Sequence, residues 1–511
     1  MDKYFLTIDN GGTNTKAIVF DENGRQLGVF AFPTMRIEET SGFHEINLHD
    51  LWDSICDAIK KAISNADIDP EQIAGISCVG HGKGLYMLDK NKQIFANGIL
   101  STDSRAVDLA TGFENNVDKI FSISRQHVLP SQSPVLLNWM KNNKPDVYSN
   151  IGYVLSAKDF VRTKLIGDIF QEFGDASGNN ILNLETQKYD LKLFEFFGIT
   201  EMYDKMPPLK KYDELCGYVS VEAASQTGLK AGIPVFGGMF DIDACSVGTG
   251  VLNEDYFSVI AGTWNINVFA SNKSANKDSG LMNSIYPTGA NLVEASSATS
   301  AGNLEMTLQS LMSEEIKNAN ENHKSIYDIL EDFLNHTDAK FSRVIFFPFL
   351  YGSNVNPDAE GAYIGIQSST TKSAMVRAVY EGIVFAHRYH IEQLVKVLDH
   401  KPKAIRLSGG GTNSKAWVQM FSDILNIPIQ LVEATEIGGL GGAIGSAVGS
   451  SVYPNIETAI KKMVHLRSET LPNSKQSAIY DQKYQMYLKL LNSLDNSWRD
   501  LKTMQEGLEQ E

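Results

Sequence analysis

The chain predicts an α/β protein organised as two lobes, and three observations carry that expectation. Its 511 residues exceed what a single hydrophobic core usually supports. The stretch YFLTIDNGGTNTKAIVFDENG (residues 4–24) reads as two strands joined by a tight glycine turn. YFSVIAGTWNINVF (residues 256–269) repeats that outline, with Ala261 where the first copy has Asp9. In both halves strand patterns then alternate with helix patterns, the mark of a layered α/β domain.

The elements follow in order. Asn23-Gly24 is a turn dipeptide, so residues 26–32 read as a third strand. In NLHDLWDSICDAIKKAISNAD, Asn47 is placed to cap a helix that presents Leu48, Leu51, Trp52, Ile55, Ile59, Ala62 and Ile63 on one face. IAGISCVGHGKGLYMLDKN then reads strand, loop, strand. Beyond the second hairpin, helices are expected near 303–311 and 325–334, a strand at RVIFFPFL, and a long helix at 372–398. AIRLSGGGTNSKAWVQMFSDILNIPIQLVE reads strand, triple-glycine loop, helix, strand, and the tail from Ser477 reads as a helix with a charged end that frays. A boundary near Gly250 gives lobes of about 250 residues, at the upper end of domain size. A repeat this widely spaced points to duplication rather than to a solenoid.

Composition narrows the function classes. The chain is 43% apolar and 21% charged, as in ordinary globular proteins. Its 45 Lys and Arg against 61 Asp and Glu leave a net charge of −16, which argues against nucleic-acid partners and anionic membranes. No secretory leader and no apolar run of about 18 residues is visible. Cys56, Cys78, Cys216 and Cys245 lie far apart, fitting a reduced cytoplasmic enzyme better than a disulfide scaffold or a zinc site.

Four glycine-rich or polar stretches carry the chemistry. A turn such as Gly11-Gly12-Thr13-Asn14 can aim several backbone N–H groups at phosphate oxygens, and Asp9 at the strand end can hold Mg²⁺ through water. Gly11-Gly12 as a plain hairpin turn is the commoner case, but a second such turn at Gly262-Thr263 favours function. Gly409, Gly410 and Gly411 lie between strand and helix, a frequent nucleotide-holding arrangement, yet fit neither the P-loop nor the dinucleotide fingerprint. In GIPVFGGMFDIDACSVGTG, Asp241 stands where a strand meets a helix, suited to a general base or to a helix cap, and Asp243 competes for either role. His81, Lys83, Asp103 and Arg105 follow apolar strands and suit recognition of a polyhydroxy ligand, although each singly is an ordinary loop residue. The HRYH run at 387–390 reads as a helix face rather than as a metal site.

Taken in order, DNGGTNTKAIVFDENG, GKGLYMLD, ILSTDSRA, AKDFVRTKLIGD, GGMFDIDACSVGTG, AGTWN, RAVYEGIVFAHR and LSGGGTNSKAWVQMFSDILNIPI resemble the FGGY carbohydrate kinases over essentially the whole chain. The resemblance implies two actin-like, ribonuclease-H-like lobes around a central cleft. Residues 1–250 would form a sugar-binding and catalytic lobe, and 251–511 a nucleotide-binding lobe with a helical tail. It implies ATP and Mg²⁺, with Asp9 at the metal and Gly11 to Asn14, together with Lys16, at the phosphates. Gly262-Thr263 would form a second phosphate loop and Gly409 to Gly411 with Asn413 the adenosine site. Asp241, rather than Asp243, would be the general base, with His81, Lys83, Asp103 and Arg105 beside it at the sugar. Two turns would then meet the phosphate chain from opposite sides while one carboxylate places one metal ion. Within the family the pattern is most similar to the L-xylulose kinase branch, because Gly82-Lys83-Gly84 and Ser101 depart from the D-xylulose kinase pattern. The implied acceptor is a ketopentose, with D-xylulose, ribulose, glycerol, erythritol and gluconate as alternatives and a homodimer as the family-level assembly. An actin-fold ATPase of chaperone type is the rival from another class.

Overall fold

A computed structural model describes residues 3–353 and 355–509. The chain forms two compact units: 1–252 with 270–293 and 433–465, and 253–269 with 294–432 and 466–511. Both are interrupted in sequence, so the segments 270–293 and 433–465 from the expected second lobe belong with the first unit.

The first unit is built on a mixed sheet. The strands Tyr4–Asn10, Asn14–Asp21 and Gln26–Pro33 run antiparallel as a meander, with a shift of register between Val19 and Phe20 in the second pairing. On the other side of Tyr4–Asn10 lies the parallel strand Ile73–Gly80, followed by Pro234–Phe236 and the edge strand Leu215–Tyr218. Met239–Phe240 also pairs parallel with the end of Ile73–Gly80, in register Met239 to Val79 and Phe240 to Gly80.

The helix Leu48–Ala66 packs across this sheet. It starts at Asn47, whose side chain accepts from the N–H groups of His49 and Asp50, and it ends at Asp67 in the left-handed region. Its apolar face is the one expected from the sequence, and the burial of Leu51, Ile55 and Ile59 contributes about 1.5–3 kcal/mol per side chain. A second layer comes from far along the chain. The helix Ile437–Gly449 lies on the strands, and the Thr7 hydroxyl donates to the Gly439 carbonyl at 2.8 Å.

In the second unit, Tyr256–Ala261 pairs antiparallel with Asn265–Ser271 and parallel with Ala404–Ser408. The sheet continues through Ile429–Val432 to the antiparallel edge strand Leu466–Thr470. The 27-residue helix Lys372–Leu398 has the expected limits, capped by the Thr371 side chain at Ala374 N–H. Ser325 caps Ile326–Asn335 with a reciprocal bond to Asp328. Two expectations change in detail. A helix Ser313–Glu321 was not foreseen, and the tail is two helices, Ser474–Ser493 and Asp495–Glu509.

Candidate active site

Strand register alone brings the key residues of the first unit together. Asn10 pairs with Gly80 and Phe240 pairs with Gly80 on its other side, so Asp9 and Asp241 flank one central strand at its C-terminal end. That end of a parallel sheet is where α/β folds place their ligands. The chain leaving the central strand is His81-Gly82-Lys83-Gly84.

Asp9 faces Lys16 across the hairpin, and Lys16 forms an ion pair of 2.6 Å with Glu436. The Asp9 carboxylate is half-buried and accepts no hydrogen bond among the described residues. Burial pushes its pKa up to about 6, opposed by Lys16 and reinforced by Glu436. The turn beside it is tight, with Gly11 N–H donating to the Asn14 carbonyl at 3.1 Å. A Cβ on Gly11 would lie 2.7 Å from that oxygen, whereas one on Gly12 would meet nothing nearer than the Ser101 hydroxyl at 3.7 Å. Thr13 and Asn14 are exposed, so this stretch offers open backbone of the kind a phosphate needs.

Asp241 is the first residue of the helix Asp241–Gly248, with Phe240 in the cap position. Burial, then the charges of Asp9 and Asp175, push its pKa up to about 8, against the Ile242 N–H and Lys83. Asp243 is buried and points at Gly174, where a Cβ would stand 2.5 Å from its Oδ2. Of the two competing aspartates, Asp241 is the one at the strand end beside Asp9. Below them lies a charged cluster that no local sequence signal announces. The buried Lys158 ammonium sits 2.9 Å from Asp159, 3.3 Å from Asp175 and 3.7 Å from Glu172.

The expected sugar-binding residues divide. Asp103 is buried and accepts from the N–H groups of His44 (2.7 Å) and Arg105 (3.0 Å) and from the Arg105 guanidinium. Arg105 is 1% exposed, reaches Glu45 at 2.9 Å and lies over the Phe43 ring. These two residues clamp the 42–45 loop, where their polar groups are engaged. His81 is also buried, with Nε2 3.0 Å from the Tyr86 hydroxyl, and burial brings its pKa down to about 4, so it is a neutral imidazole. Lys83 differs: it is half-buried, and its ammonium has no hydrogen-bond or ion-pair partner among the described residues.

In the second unit the two remaining glycine loops leave neighbouring parallel strands side by side. Ile260 pairs with Ser408, so Gly262-Thr263 and Gly409 emerge together. Gly409 has φ +92°, and a Cβ there would lie 2.6 Å from the Ala261 carbonyl oxygen; nothing stands within 4 Å of one on Gly410. Gly411 is buried against the Trp417 ring, and Asn413 is exposed. The following helix, Lys415–Leu425, does not present a bare N-terminus. Ser414 accepts from Trp417 N–H at 3.0 Å, and the Glu331 carboxylate accepts from Ala416 N–H at 3.1 Å. The open backbone of the loop, rather than the helix end, is what remains for a ligand. His387 and His390 are buried and hydrogen-bonded to Asn267 and Ser297, and among the described residues no cluster of three His, Cys, Asp or Glu suits a metal ion.

Asp241 thus stands across one strand end from the Asp9 carboxylate and the open Gly11-Gly12 turn, and comparison with known proteins covers the whole chain. The FGGY family of carbohydrate kinases matches with its N-terminal domain over residues 4–248 and its C-terminal domain over 257–450. A probable L-xylulose kinase of Haemophilus influenzae is 33% identical over 502 residues, covering 96% of this chain and 99% of that protein. The L-xylulose/3-keto-L-gulonate kinase of Escherichia coli is 30% identical, covering 97% and 98%. Among solved structures, ligand-bound xylulose kinase from Lactobacillus acidophilus superposes with a TM-score of 0.88 at 21% identity, covering 98% of this chain and 100% of that one. The chain belongs to the FGGY family of carbohydrate kinases and is an ATP-dependent sugar kinase. Among the described residues no helix is long and apolar enough to cross a membrane.

Proposed function

We propose that this enzyme transfers the γ-phosphoryl group of ATP to the terminal hydroxyl of a ketopentose, L-xylulose being the first candidate. The observation that carries the reading is the placement of Asp241 and Asp9 on either side of one strand end; in this reading the first is the base and the second lies beside the phosphates. The names of the relatives at 30–33% identity favour the acceptor.

Asp241 takes the proton of the acceptor hydroxyl as that oxygen bonds to the γ-phosphorus. The bond from the γ-phosphorus to the bridging oxygen breaks, ADP leaves, and Asp241 later returns the proton to water. Phosphoryl transfer asks the protein mainly to position reactants and balance charge, so one base and a set of N–H groups suffice. Gly11 to Asn14 supply N–H groups and Lys16 a positive charge; within the second unit, the open backbone of Gly262-Thr263 and of the Gly409 to Gly411 loop with Asn413 suits a nucleotide.

The residues present fit a hydrated Mg²⁺ at Asp9, whose carboxylate has no hydrogen-bond donor and a raised pKa that a dication would lower. When bound, the ion supplies charge neutralisation at the phosphate oxygens.

A coupled ADP-release assay over ketoses, polyols and sugar acids tests the reading. It predicts ADP release that depends on L-xylulose with a sugar phosphate as product; ATP hydrolysis without sugar and without phosphosugar refutes it.

A further inference from the structure

The Gly82-Lys83-Gly84 turn is built to hold a lysine where a lysine is disfavoured. Lys83 has φ +64°, in the left-handed region that costs a side-chain-bearing residue about 1–2 kcal/mol. The glycines on either side fix its position. A Cβ on Gly82 would lie 2.2 Å from the Phe240 ring, and one on Gly84 2.5 Å from the Ile99 carbonyl oxygen. Gly84 N–H donates to the Ser131 carbonyl at 2.7 Å. Because Phe240 directly precedes Asp241, the packing of Gly82 on Phe240 brings Lys83 beside the base. The result is a half-buried cation with no hydrogen-bond or ion-pair partner among the described residues, whose charge acts on Asp241 against those of Asp9 and Asp175.

Resting on the kinase reading above, we propose that Lys83 is a carboxylate reader: the acceptor class includes ketoses that end in a carboxylate, and Lys83 pairs with that end while the terminal alcohol meets Asp241. A neutral ketose needs no cation there. An anionic acceptor does, because it approaches Asp9, Asp175 and Asp241 in a chain of net charge −16. An ammonium meeting a carboxylate in a partly desolvated site forms a charge-assisted hydrogen bond, among the stronger polar contacts available.

The test compares kcat/KM for 3-keto-L-gulonate and L-xylulose in the wild-type enzyme, Lys83→Met and Lys83→Arg. The proposal expects wild-type turnover of both sugars and an acid-to-neutral ratio that falls about 10–100-fold in Lys83→Met. In Lys83→Arg the ratio recovers to within about tenfold of wild type. The wild-type KM for the acid rises with salt more steeply than that for the neutral sugar. Lys83→Gln carries the same comparison if Lys83→Met does not fold. An unchanged ratio overturns the proposal. So does an equal loss on both sugars with a raised KM for ATP, which would assign Lys83 to the nucleotide. Wild-type turnover of L-xylulose alone overturns this inference and leaves the kinase reading standing, whereas turnover of neither sugar overturns both.

Discussion

An aspartate that resists ionisation weakens the fold that holds it. Asp241 keeps its proton up to about pH 8 when folded, against an ordinary value of 3.8. Below the ordinary value both folded and unfolded chains carry the proton and nothing is lost. Between the two values the unfolded chain releases it and the folded one does not, so stability falls as pH rises and levels off above about 8. Asp241→Asn is therefore expected to raise the melting temperature more at pH 8 than at pH 4, measured by thermal denaturation. The same change should lower kcat by roughly 10²–10⁴-fold. As the proposed base, Asp241 works only when ionised, so kcat/KM should rise with pH along an acidic limb centred near 8 in the free enzyme, read from a pH–rate profile. Arg105 makes the contrasting case of a charge serving structure. Arg105→Met leaves the buried Asp103 without its cation and should cost about 3–5 kcal/mol, visible in urea denaturation.

At the scale of elements, the helix bearing Asp241 is set by its neighbour rather than by its own sequence. Ile437–Gly449 contains six glycines, and a Cβ on Gly441 would lie 1.9 Å from the Ala244 carbonyl oxygen. Only a bare backbone lets the two helices approach this closely. Gly441→Ala should push Asp241–Gly248 outward, lowering kcat by more than about tenfold together with stability. Steady-state kinetics and a melting curve on the same preparation would show both. This pair also marks the limit of what local sequence discloses. The two hairpins, the cap at Asn47 and the Lys372–Leu398 helix are legible because turn residues, caps and apolar spacing agree. Ile437–Gly449 is not, because glycine disfavours helix and the compensation comes from distant packing. Within the site, Asp9, the Gly11-Gly12 turn and Asp241 stand out by their position after strands. The Lys16–Glu436 pair, 420 residues apart, and the Lys158 cluster carry no local mark, and the engagement of Asp103 by Arg105 is a tertiary fact.

For the whole molecule, the consequence is that the first unit is assembled from both ends of the sequence. Segment 433–465 supplies Glu436 to Lys16, the Gly439 carbonyl to Thr7, and the layer that covers the sheet. A fragment of residues 1–252 should therefore expose apolar surface and lack cooperative unfolding, and adding the 433–465 segment should cover part of that surface. Dye binding and thermal denaturation of the fragment with and without that peptide would check this. Part of that sheet is antiparallel meander, laid down early and locally; its cover is not. At roughly 5–20 residues per second, a ribosome that has finished Leu252 needs about 10–40 s more to synthesise Ile437–Gly449. For that interval the nascent chain carries an unfinished face that must be shielded, and Asp9 and Asp241 acquire their final setting only as translation nears its end.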